Sequence, residues 1–282
     1  MTSRPRAFVI GHPIAHSRSP LIHGYWLRKY GLDGTYEAID IAPTVLSGFV
    51  ARLRDGEFVG GNVTIPHKQA IFSLCDSVAD AALQIGAVNT LVGENGRIVG
   101  TNTDWSGFAT NLDAQAPGWD KGRRKAIVLG AGGAARAVVL ALIRRGFADI
   151  VVLNRTRDRA VGLVGEFATL APDRLHAGAL SEFAQFAPIA DLVVNTTAIG
   201  MHGSRFADLN LYLLPDTALV NDIVYIPLET GLLAEARRLG LKTADGLGML
   251  LHQAVPGFAA WFGVTPEVTQ DLRQTIERSL EP

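Results

Sequence analysis

The sequence predicts an α/β protein with two domains, an N-terminal mixed α/β domain and a domain built on a doubly wound parallel sheet. Short apolar runs alternate with helical segments along residues 125–240, which is the pattern of a parallel sheet with crossover helices. A glycine-rich turn joins the first of these strands to its helix. The hairpin signal Asn95-Gly96 indicates antiparallel strands in the earlier half. The length of 282 residues suits two ordinary domains.

Composition excludes several classes of protein. Hydrophobic residues make up 48% of the chain and charged residues 19%, which allows a large core and argues against disorder. The net charge of -1 argues against nucleic acid or an anionic membrane as the main partner. Cys75 is the only cysteine, so no internal disulfide and no multi-cysteine zinc site can form. With no signal-peptide core and no apolar run near the roughly 20 residues of a membrane span, we expect a cytoplasmic protein.

The first domain is predicted to begin with a strand that runs into a loop at residues 11–20. Ser19 has the features of an N-cap, with Pro20 as the first residue of a helix that ends near Tyr30. Pro66 is predicted to open another helix that carries Lys68 in its first turn, where a cation opposes the helix dipole. The predicted strands are 7–10, 36–41, 58–65, 87–92 and 97–101, and the remaining predicted helices are 45–54, 78–86 and 105–115.

The second domain is predicted to alternate strands and helices. Its predicted strands are 126–129, 150–153, a weak one near Leu175, 191–197 and 218–225, and its predicted helices are 134–145, 159–170 and 232–239. Asn195 and Tyr225 lie at strand ends, where they are expected to point toward a ligand crevice. Two further helices, one carrying Gln253 and one capped by Thr265-Pro266, are expected to return to the first domain. The predicted domains are therefore residues 1–104 completed by 241–282, and residues 105–240.

The glycine turn at residues 130–135 predicts a Rossmann-type dinucleotide site. Gly130, Gly132 and Ala135 fit the pattern GxGxx(G/A), in which the glycines allow a tight turn and the close approach of a pyrophosphate. The N–H groups of the following helix then face the phosphates. The predicted cofactor-binding residues here are Gly130, Ala131, Gly132, Gly133 and Ala134.

The end of the second strand of this domain predicts NADP rather than NAD. An NAD site usually carries Asp or Glu at this position to bind the ribose 2′-hydroxyl. The chain instead has arginines and a threonine hydroxyl, which favour a 2′-phosphate. The predicted residues are Asn154, Arg155, Thr156, Arg157, Asp158 and Arg159. A solvated basic turn at the start of the next helix is the alternative.

Ser17 and Ser19 lie in a loop at the carboxyl end of the first strand, where open α/β sheets bind ligands. Their hydroxyls suit a ligand hydroxyl or carboxylate. Serine is also favoured at helix caps whatever the function, so ligand binding and capping both remain open from the local pattern alone.

Six segments together resemble the shikimate dehydrogenase family, in order and over nearly the whole chain. They are residues 11–20, 61–68, 86–90, 102–104, 130–134 and 245–249. The resemblance implies reversible reduction of 3-dehydroshikimate to shikimate by NADPH, in aromatic amino-acid biosynthesis. It implies that Lys68 and Asp104 are the catalytic pair, both also in contact with the substrate, and that Ser17 and Ser19 bind the substrate carboxylate. It further implies that the ring hydroxyls are bound by Thr64, Asn89, Asp104, Tyr225 and Gln253.

The resemblance also implies cofactor contacts from Asp80, Gly246 and the main chain of Ile223. The family position matching Ile223 is often methionine, and residues 195–198 depart slightly from the usual Asn-Ala-Thr-Ser. Three alternatives compete: an enzyme that uses quinate and NAD, a non-catalytic NADP-binding relative, and a folate-type dehydrogenase. The last lacks the paired serines, and a pure binder would need neither Lys68 nor Asp104. A homodimer is an open expectation, because the sequence does not determine the oligomeric state.

Overall fold

The protein is described by a computed structural model covering residues 4–122 and 124–280, and it divides into two compact units. One unit ends at Thr103 and resumes at Leu251, and the other runs from Asp104 to Leu250. The described strands are β1 (Arg6–Gly11), β2 (Thr35–Asp40), β3 (Gly60–Val63), β4 (Ser77–Val78), β5 (Thr90–Glu94), β6 (Arg97–Thr101), β7 (Lys125–Leu129), β8 (Asp149–Asn154), β9 (Leu175–Ala179), β10 (Leu192–Asn195), β11 (Ile199–His202), β12 (Leu219–Asp222) and β13 (Lys242–Ala244).

The α-helices in the described part of the chain are α1 (Ser19–Lys29), α2 (Leu46–Arg54), α3 (Asp80–Ile85), α4 (Asp104–Gln115), α5 (Gly133–Arg144), α6 (Arg157–Phe167), α7 (Phe183–Phe186), α8 (Gly231–Arg238), α9 (Leu247–Phe262) and α10 (Gln270–Leu280). Short 3-10 helices cover Pro43–Val45, Ala70–Leu74, Leu180–Glu182, Ala187–Ile189 and Leu211–Leu213. No described helix combines the length and the apolar character needed to cross a membrane.

The sheet of the first unit is mixed, with the strand order β2-β1-β3-β5-β6-β4. Strand β1 pairs in parallel with both β2 and β3, whereas β5 is antiparallel to β3 and β6. The Asn95-Gly96 turn has positive φ at both residues, as the predicted hairpin requires. A core with Phe8, Phe49 and Phe58 in edge-on and tilted contacts fills one face.

Helix α10 and the part of α9 from Leu251 onward belong to the first unit. Helix α10 packs against α1, and the indole N–H of Trp26 donates to the Glu267 carbonyl at 3.0 Å. The indole N–H of Trp261 on α9 donates to the Leu91 carbonyl on β5 at 2.8 Å. These tryptophans fasten the returning helices to the sheet because each combines a large buried apolar surface with one directed hydrogen bond.

The sheet of the second unit is fully parallel, with the order β13-β12-β10-β7-β8-β9. The order reverses beside β7, which places a topological switch point between β7 and β10. Successive residues of β7 are buried on both faces, as expected for a sheet covered by helices on each side. The doubly wound domain predicted from the alternating pattern is confirmed.

Three local predictions are wrong. No α-helix begins at Pro66: residues 65–69 form turns, because the main chain of this segment bonds to other parts of the unit. Ser19 is not the N-cap of α1; that position is Arg18, and no side chain caps it. The last helix begins at Gln270 rather than after Pro266, and the Thr269 hydroxyl accepts from the N–H of Leu272.

Candidate active site

The loop after β1 and the turn after β3 lie together in the first unit. The N–H of His12 donates to the Ile65 carbonyl at 3.1 Å, and the methyl group of Thr64 packs beside Gly11, where a Cβ atom would collide with it. Beyond this contact the N–H of Ser19 donates to Ser17 Oγ at 3.3 Å. The predicted substrate residues Ser17, Ser19 and Thr64 therefore lie on adjacent segments at one end of the sheet.

Lys68 is held by its main chain in the turn that follows Thr64. The N–H of Val88 donates to the Lys68 carbonyl at 2.8 Å, and the N–H of His67 donates to the Thr64 carbonyl at 2.9 Å. The buried His67 ring places Nε2 2.6 Å from the Ile41 carbonyl, so this nitrogen is the donor. The Lys68 side chain is half-buried. Tertiary hydrogen bonds, rather than a helix, therefore fix the lysine.

Asn89 and Gln253 meet in a buried polar network. Asn89 Nδ2 donates to Thr103 Oγ1 at 3.0 Å and lies 3.5 Å from Gln253 Oε1. Its Oδ1 accepts from the Thr90 hydroxyl at 2.8 Å and from the N–H of Thr103 at 2.9 Å. These bonds set the amide orientation, because the oxygen already has two donors. The nitrogen face of Asn89 is thus the one turned toward Gln253.

This network extends to three residues that the sequence analysis did not single out. Asn62 Nδ2 donates to the Asn89 carbonyl and to Thr90 Oγ1, both at 3.2 Å, and Asn62 Oδ1 accepts from the Tyr36 hydroxyl at 2.6 Å. Burial raises the pKa of Tyr36 well above its usual value, and a hydrogen bond with Ser19 opposes that rise only in part. Asn62 could have been identified from the sequence, because residues 62 and 64 share one face of the predicted strand 58–65.

His23 lies fully buried beneath this network, with its ring stacked on Tyr36 at 3.9 Å between centroids. Burial lowers the pKa of His23 to about 3, so the ring is neutral. Its two nitrogens have no hydrogen bond partner of good geometry, although Asn62 lies near enough to raise the pKa slightly. His23 acts as part of an aromatic wall with Trp26, Phe258 and Trp261.

The glycine turn between β7 and α5 fits a dinucleotide. Gly130 has a φ of +105° and faces Thr196 and Thr197, so a Cβ atom there would lie 2.8 Å from Thr196 Oγ1. Gly132 and Gly133 face open space, with no heavy atom within 4 Å of a Cβ built on either. The small buried Ala135 allows α5 to pack closely on the sheet. A phosphate can therefore approach the N-terminal N–H groups of α5 unhindered.

The turn after β8 is exposed and basic. Asn154 Nδ2 donates to the Thr156 carbonyl at 2.9 Å, which fixes the turn, and residues 155–159 are all exposed. Among the described residues, no carboxylate forms an ion pair with Arg155, Arg157 or Arg159. Asp158 lies in the first turn of α6, where the helix dipole favours it. The guanidinium groups are thus available to an anionic ligand.

The ends of β10 and β12 are tied together by buried side chains. Asn195 Nδ2 donates to the Ile199 carbonyl at 2.7 Å and to Asp222 Oδ1 at 2.9 Å, while its Oδ1 accepts from Thr197. The expectation that Asn195 points toward a ligand crevice is therefore wrong, because every polar atom of its buried side chain bonds within the protein. The main chain of Ile223 continues this joint, with its N–H donating to the Asn195 carbonyl at 3.1 Å.

Gly246 packs directly on the main chain of Asp222 and Ile223, with no room for a side chain between them. The predicted cofactor residues Ile223 and Gly246 are thus neighbours, and the half-buried Tyr225 follows two residues after Ile223. Asp104 is the half-buried first residue of α4, at the start of the second unit. Asp80 begins α3 in the first unit and accepts hydrogen bonds from Gln84.

Comparisons with known proteins find family models and relatives that together cover nearly the whole chain. Residues 9–91 match the shikimate dehydrogenase substrate-binding domain, and residues 114–202 match the shikimate/quinate 5-dehydrogenase family. The shikimate dehydrogenase (NADP(+)) of Brucella canis is 54% identical over 96% of this chain and 93% of its own length. That of Mesorhizobium japonicum is 55% identical over 98% and 97%. The chain belongs to the shikimate dehydrogenase family.

Solved structures of family members show the same fold. The shikimate 5-dehydrogenase of Thermus thermophilus, in complex with NADP(H) and shikimate, has a TM-score of 0.83 and 38% identity over 98% of both chains. The quinate dehydrogenase of Corynebacterium glutamicum, in complex with NAD, has a TM-score of 0.88 and 31% identity over 96% of this chain and 98% of that one. The family therefore includes relatives solved with NADP(H) and relatives solved with NAD. The residues after β8 are the feature of this chain that distinguishes the two cofactors.

Among the residues that the family resemblance implies, the two units hold different shares. Ser17, Ser19, Thr64, Lys68, Asn89 and Gln253 lie in the first unit, with Asp80. Asp104, Tyr225 and the other implied cofactor residues lie in the second. The first unit thus holds a group of hydroxyl and amide side chains, and the second unit holds the glycine turn suited to a dinucleotide. The individual residue roles stay predictions.

Proposed function

We propose that this chain is an NADP-dependent shikimate dehydrogenase, which reversibly reduces 3-dehydroshikimate to shikimate in the shikimate pathway of aromatic amino-acid biosynthesis. The assignment of NADP rather than NAD rests on the turn after β8. In the described part of the chain, Arg155, Arg157 and Arg159 have no carboxylate partner. A ribose 2′-phosphate supplies the anion that such a turn lacks. The substrate choice rests on the full-length similarity to enzymes named shikimate dehydrogenase (NADP(+)).

The polar residues of the first unit suit a polyhydroxylated acid. We assign Ser17 and Ser19 to the substrate carboxylate, since small hydroxyl groups on a tight loop can donate to it without a fixed charge. We assign Thr64, Asn89, Tyr225 and Gln253 to the ring hydroxyls. The contact of Asn89 Nδ2 with Gln253 Oε1 at 3.5 Å supports assigning these two side chains to the same ligand.

Lys68 and Asp104 are proposed as the proton-transfer pair. Oxidation of an alcohol releases a proton from oxygen, and a positioned amine can accept it and return it in the reverse reaction. The carboxylate of Asp104 can accept a hydrogen bond from the same hydroxyl and so orient it. A nicotinamide held in the second unit would supply the hydride for reduction and accept it in oxidation. The fixed main chain of Lys68 supports this role, because it limits where the amine can reach.

The second unit is proposed to bind NADP through the glycine turn and the basic turn. Gly130, Ala131, Gly132, Gly133 and Ala134 would face the pyrophosphate, and residues 154–159 would bind the 2′-phosphate. Ile223, through its main chain, and Gly246 are assigned to the nicotinamide side, and Asp80 of the first unit is assigned as a further cofactor contact. The open space at Gly132 and Gly133 supports the first assignment.

The test is a spectrophotometric assay of the purified protein with shikimate or quinate and with NADP+ or NAD+. We expect rapid reduction only of NADP+ with shikimate. Comparable rates with quinate or NAD+ would favour the activity named for the Corynebacterium relative. NADP+ binding without turnover of either acid would favour a non-catalytic relative. A homodimer and a cytoplasmic location are further proposals, and sedimentation analysis tests the first.

A further inference from the structure

Asp222 is a buried carboxylate that the proposed mechanism does not use. It ends β12, has no exposed surface and lies one residue before Ile223. Its Oδ1 accepts from the N–H of Val224 at 3.0 Å and from Asn195 Nδ2 at 2.9 Å, and its Oδ2 accepts from the Thr230 hydroxyl at 2.7 Å. All three contacts are donors, so the site is built to hold a carboxylate.

The groups that face this carboxylate are neutral on every side. Asn195 comes from β10, Val224 from the loop after β12, Thr230 from the N-cap of α8, and Gly200 from β11. No lysine, arginine or histidine of the described residues acts on its pKa. Burial raises the pKa of Asp222 to about 6, and the three hydrogen bonds oppose that rise. At neutral pH the second unit therefore holds an ionised carboxylate without a cationic partner.

The strand order places this charge on the nicotinamide side of the proposed cofactor. The basic turn follows β8 on one side of β7, and the glycine turn follows β7 itself, so the opposite half of a dinucleotide extends over β10 and β12. Neighbouring strands lie about 4.8 Å apart, which puts the end of β12 roughly 10 Å from the end of β7. The main chain at Ile223 is fixed there by the Asn195 carbonyl and by Gly246.

We propose that the negative charge of Asp222 makes this site prefer the oxidised cofactor, because it attracts the positively charged nicotinamide ring of NADP+ and not the neutral ring of NADPH. The proposal rests on the proposed function, since it needs NADP in the second unit. The proposed nicotinamide contact is the main chain of Ile223, one residue after Asp222, so we take a charge separation on the order of 10 Å, which at an effective dielectric constant near 20 changes an affinity on the order of tenfold. Asp222 is thus assigned a role in cofactor preference as well as in loop structure.

The test compares dissociation constants for NADP+, NADPH and 2′,5′-ADP in the wild type and in Asp222→Asn, measured by titration calorimetry at about pH 8. Asparagine keeps Oδ1 for Val224 and Asn195, and its amide nitrogen can donate to Thr230. We expect the Kd for NADP+ to rise on the order of tenfold, with NADPH and 2′,5′-ADP nearly unchanged. A purely structural role would weaken all three ligands together and would overturn the proposal, as would three unchanged constants.

A second measurement needs no variant. In the wild type, the preference for NADP+ over NADPH should shrink several-fold as the pH falls from about 8 to about 5.5, because protonation of the carboxylate, whose pKa is about 6, removes part of its charge. Titration of the 2′-phosphate cancels in this comparison, since both cofactors carry it. A preference that stays constant with pH overturns the proposal. A wild type that binds neither cofactor overturns the proposed function as well, so the two failures are distinguishable.

Discussion

At the scale of single residues, the proposed proton-transfer role of Lys68 gives the most specific prediction about catalysis. Lys68→Ala should lower kcat about 10²- to 10⁴-fold with little change in KM for shikimate, because it removes a proton carrier rather than a binding contact. Lys68→Arg keeps the charge but cannot release a proton, so it should be equally slow. Lys29→Ala on α1 is the control. The measurement is kcat and KM of each variant in the steady state. Recovery of activity in Lys68→Arg would contradict a proton-transfer role and leave Lys68 as a structural cation.

Arg155 carries the expectation for cofactor choice. Arg155→Ala should raise KM for NADP+ about 10- to 100-fold and leave KM for NAD+ unchanged, because only NADP+ has the phosphate that a guanidinium binds. Arg278→Ala, an exposed arginine on α10, provides a control for general loss of positive charge. The ratio of kcat/KM values for the two cofactors is the measurement. An unchanged ratio would leave the basic turn as a solvated helix start.

At the scale of elements, the two glycines of the cofactor turn should behave differently. Gly132 has a φ of −95° and open space around it, so Gly132→Ala should fold with an unchanged Tm but lose NADP+ affinity to the new methyl group. Gly130→Ala should lower both the Tm and the affinity for NADP+. Its φ of +105° and its contact with Thr196 and Thr197 leave no room for a side chain. Thermal unfolding and calorimetry separate the two. Equal Tm values for both variants would contradict this distinction.

Elements were predictable where local pattern and tertiary structure agree. The apolar run of β7 and the Asn95-Gly96 hairpin each follow from their own residues. The helix predicted at Pro66 failed because the N–H of Val88 takes the Lys68 carbonyl, a contact 20 residues away that no local pattern reveals. Short elements such as β4, β11 and β13 were missed for a related reason, since they depend on a neighbouring strand or turn.

The candidate site likewise contains residues that local spacing predicts and residues that only the tertiary structure reveals. The glycine and arginine turns could be interpreted from spacing alone, whereas the role of Lys68 entered only through family resemblance. Tyr36 and Thr90 were missed because their importance lies in hydrogen bonds to Asn62 and Asn89, across strands. Asn195 was misread because a polar residue at a strand end can equally serve the joint between two strands.

At the scale of the whole molecule, the same Asp222 that is proposed to influence the cofactor should lower the free energy of unfolding at neutral and higher pH, where its carboxyl group is ionised. Its pKa of about 6 lies above its ordinary value of 3.8, so the protonated form is favoured by the folded state. Its stabilising contribution is therefore fully present below about pH 4 and is lost as the pH rises through about 6. Two units of pKa correspond to about 3 kcal/mol at high pH.

Asp222→Asn removes this ionisation, keeps the two bonds accepted by Oδ1 and reverses the bond to Thr230, so the variant should gain up to about 3 kcal/mol in free energy of unfolding at pH 8 and nearly nothing at pH 4. Denaturant unfolding of the two proteins at a series of pH values provides the measurement. Because the chain has two units, the comparison applies to the transition of the second unit. A variant less stable at every pH would mean that reversing the bond to Thr230 costs more free energy than removal of the charge gains. A higher free energy of unfolding at pH 8 together with a higher Kd for NADP+ would show that the charge of Asp222 lowers the stability of the second unit and strengthens its binding of the oxidised cofactor.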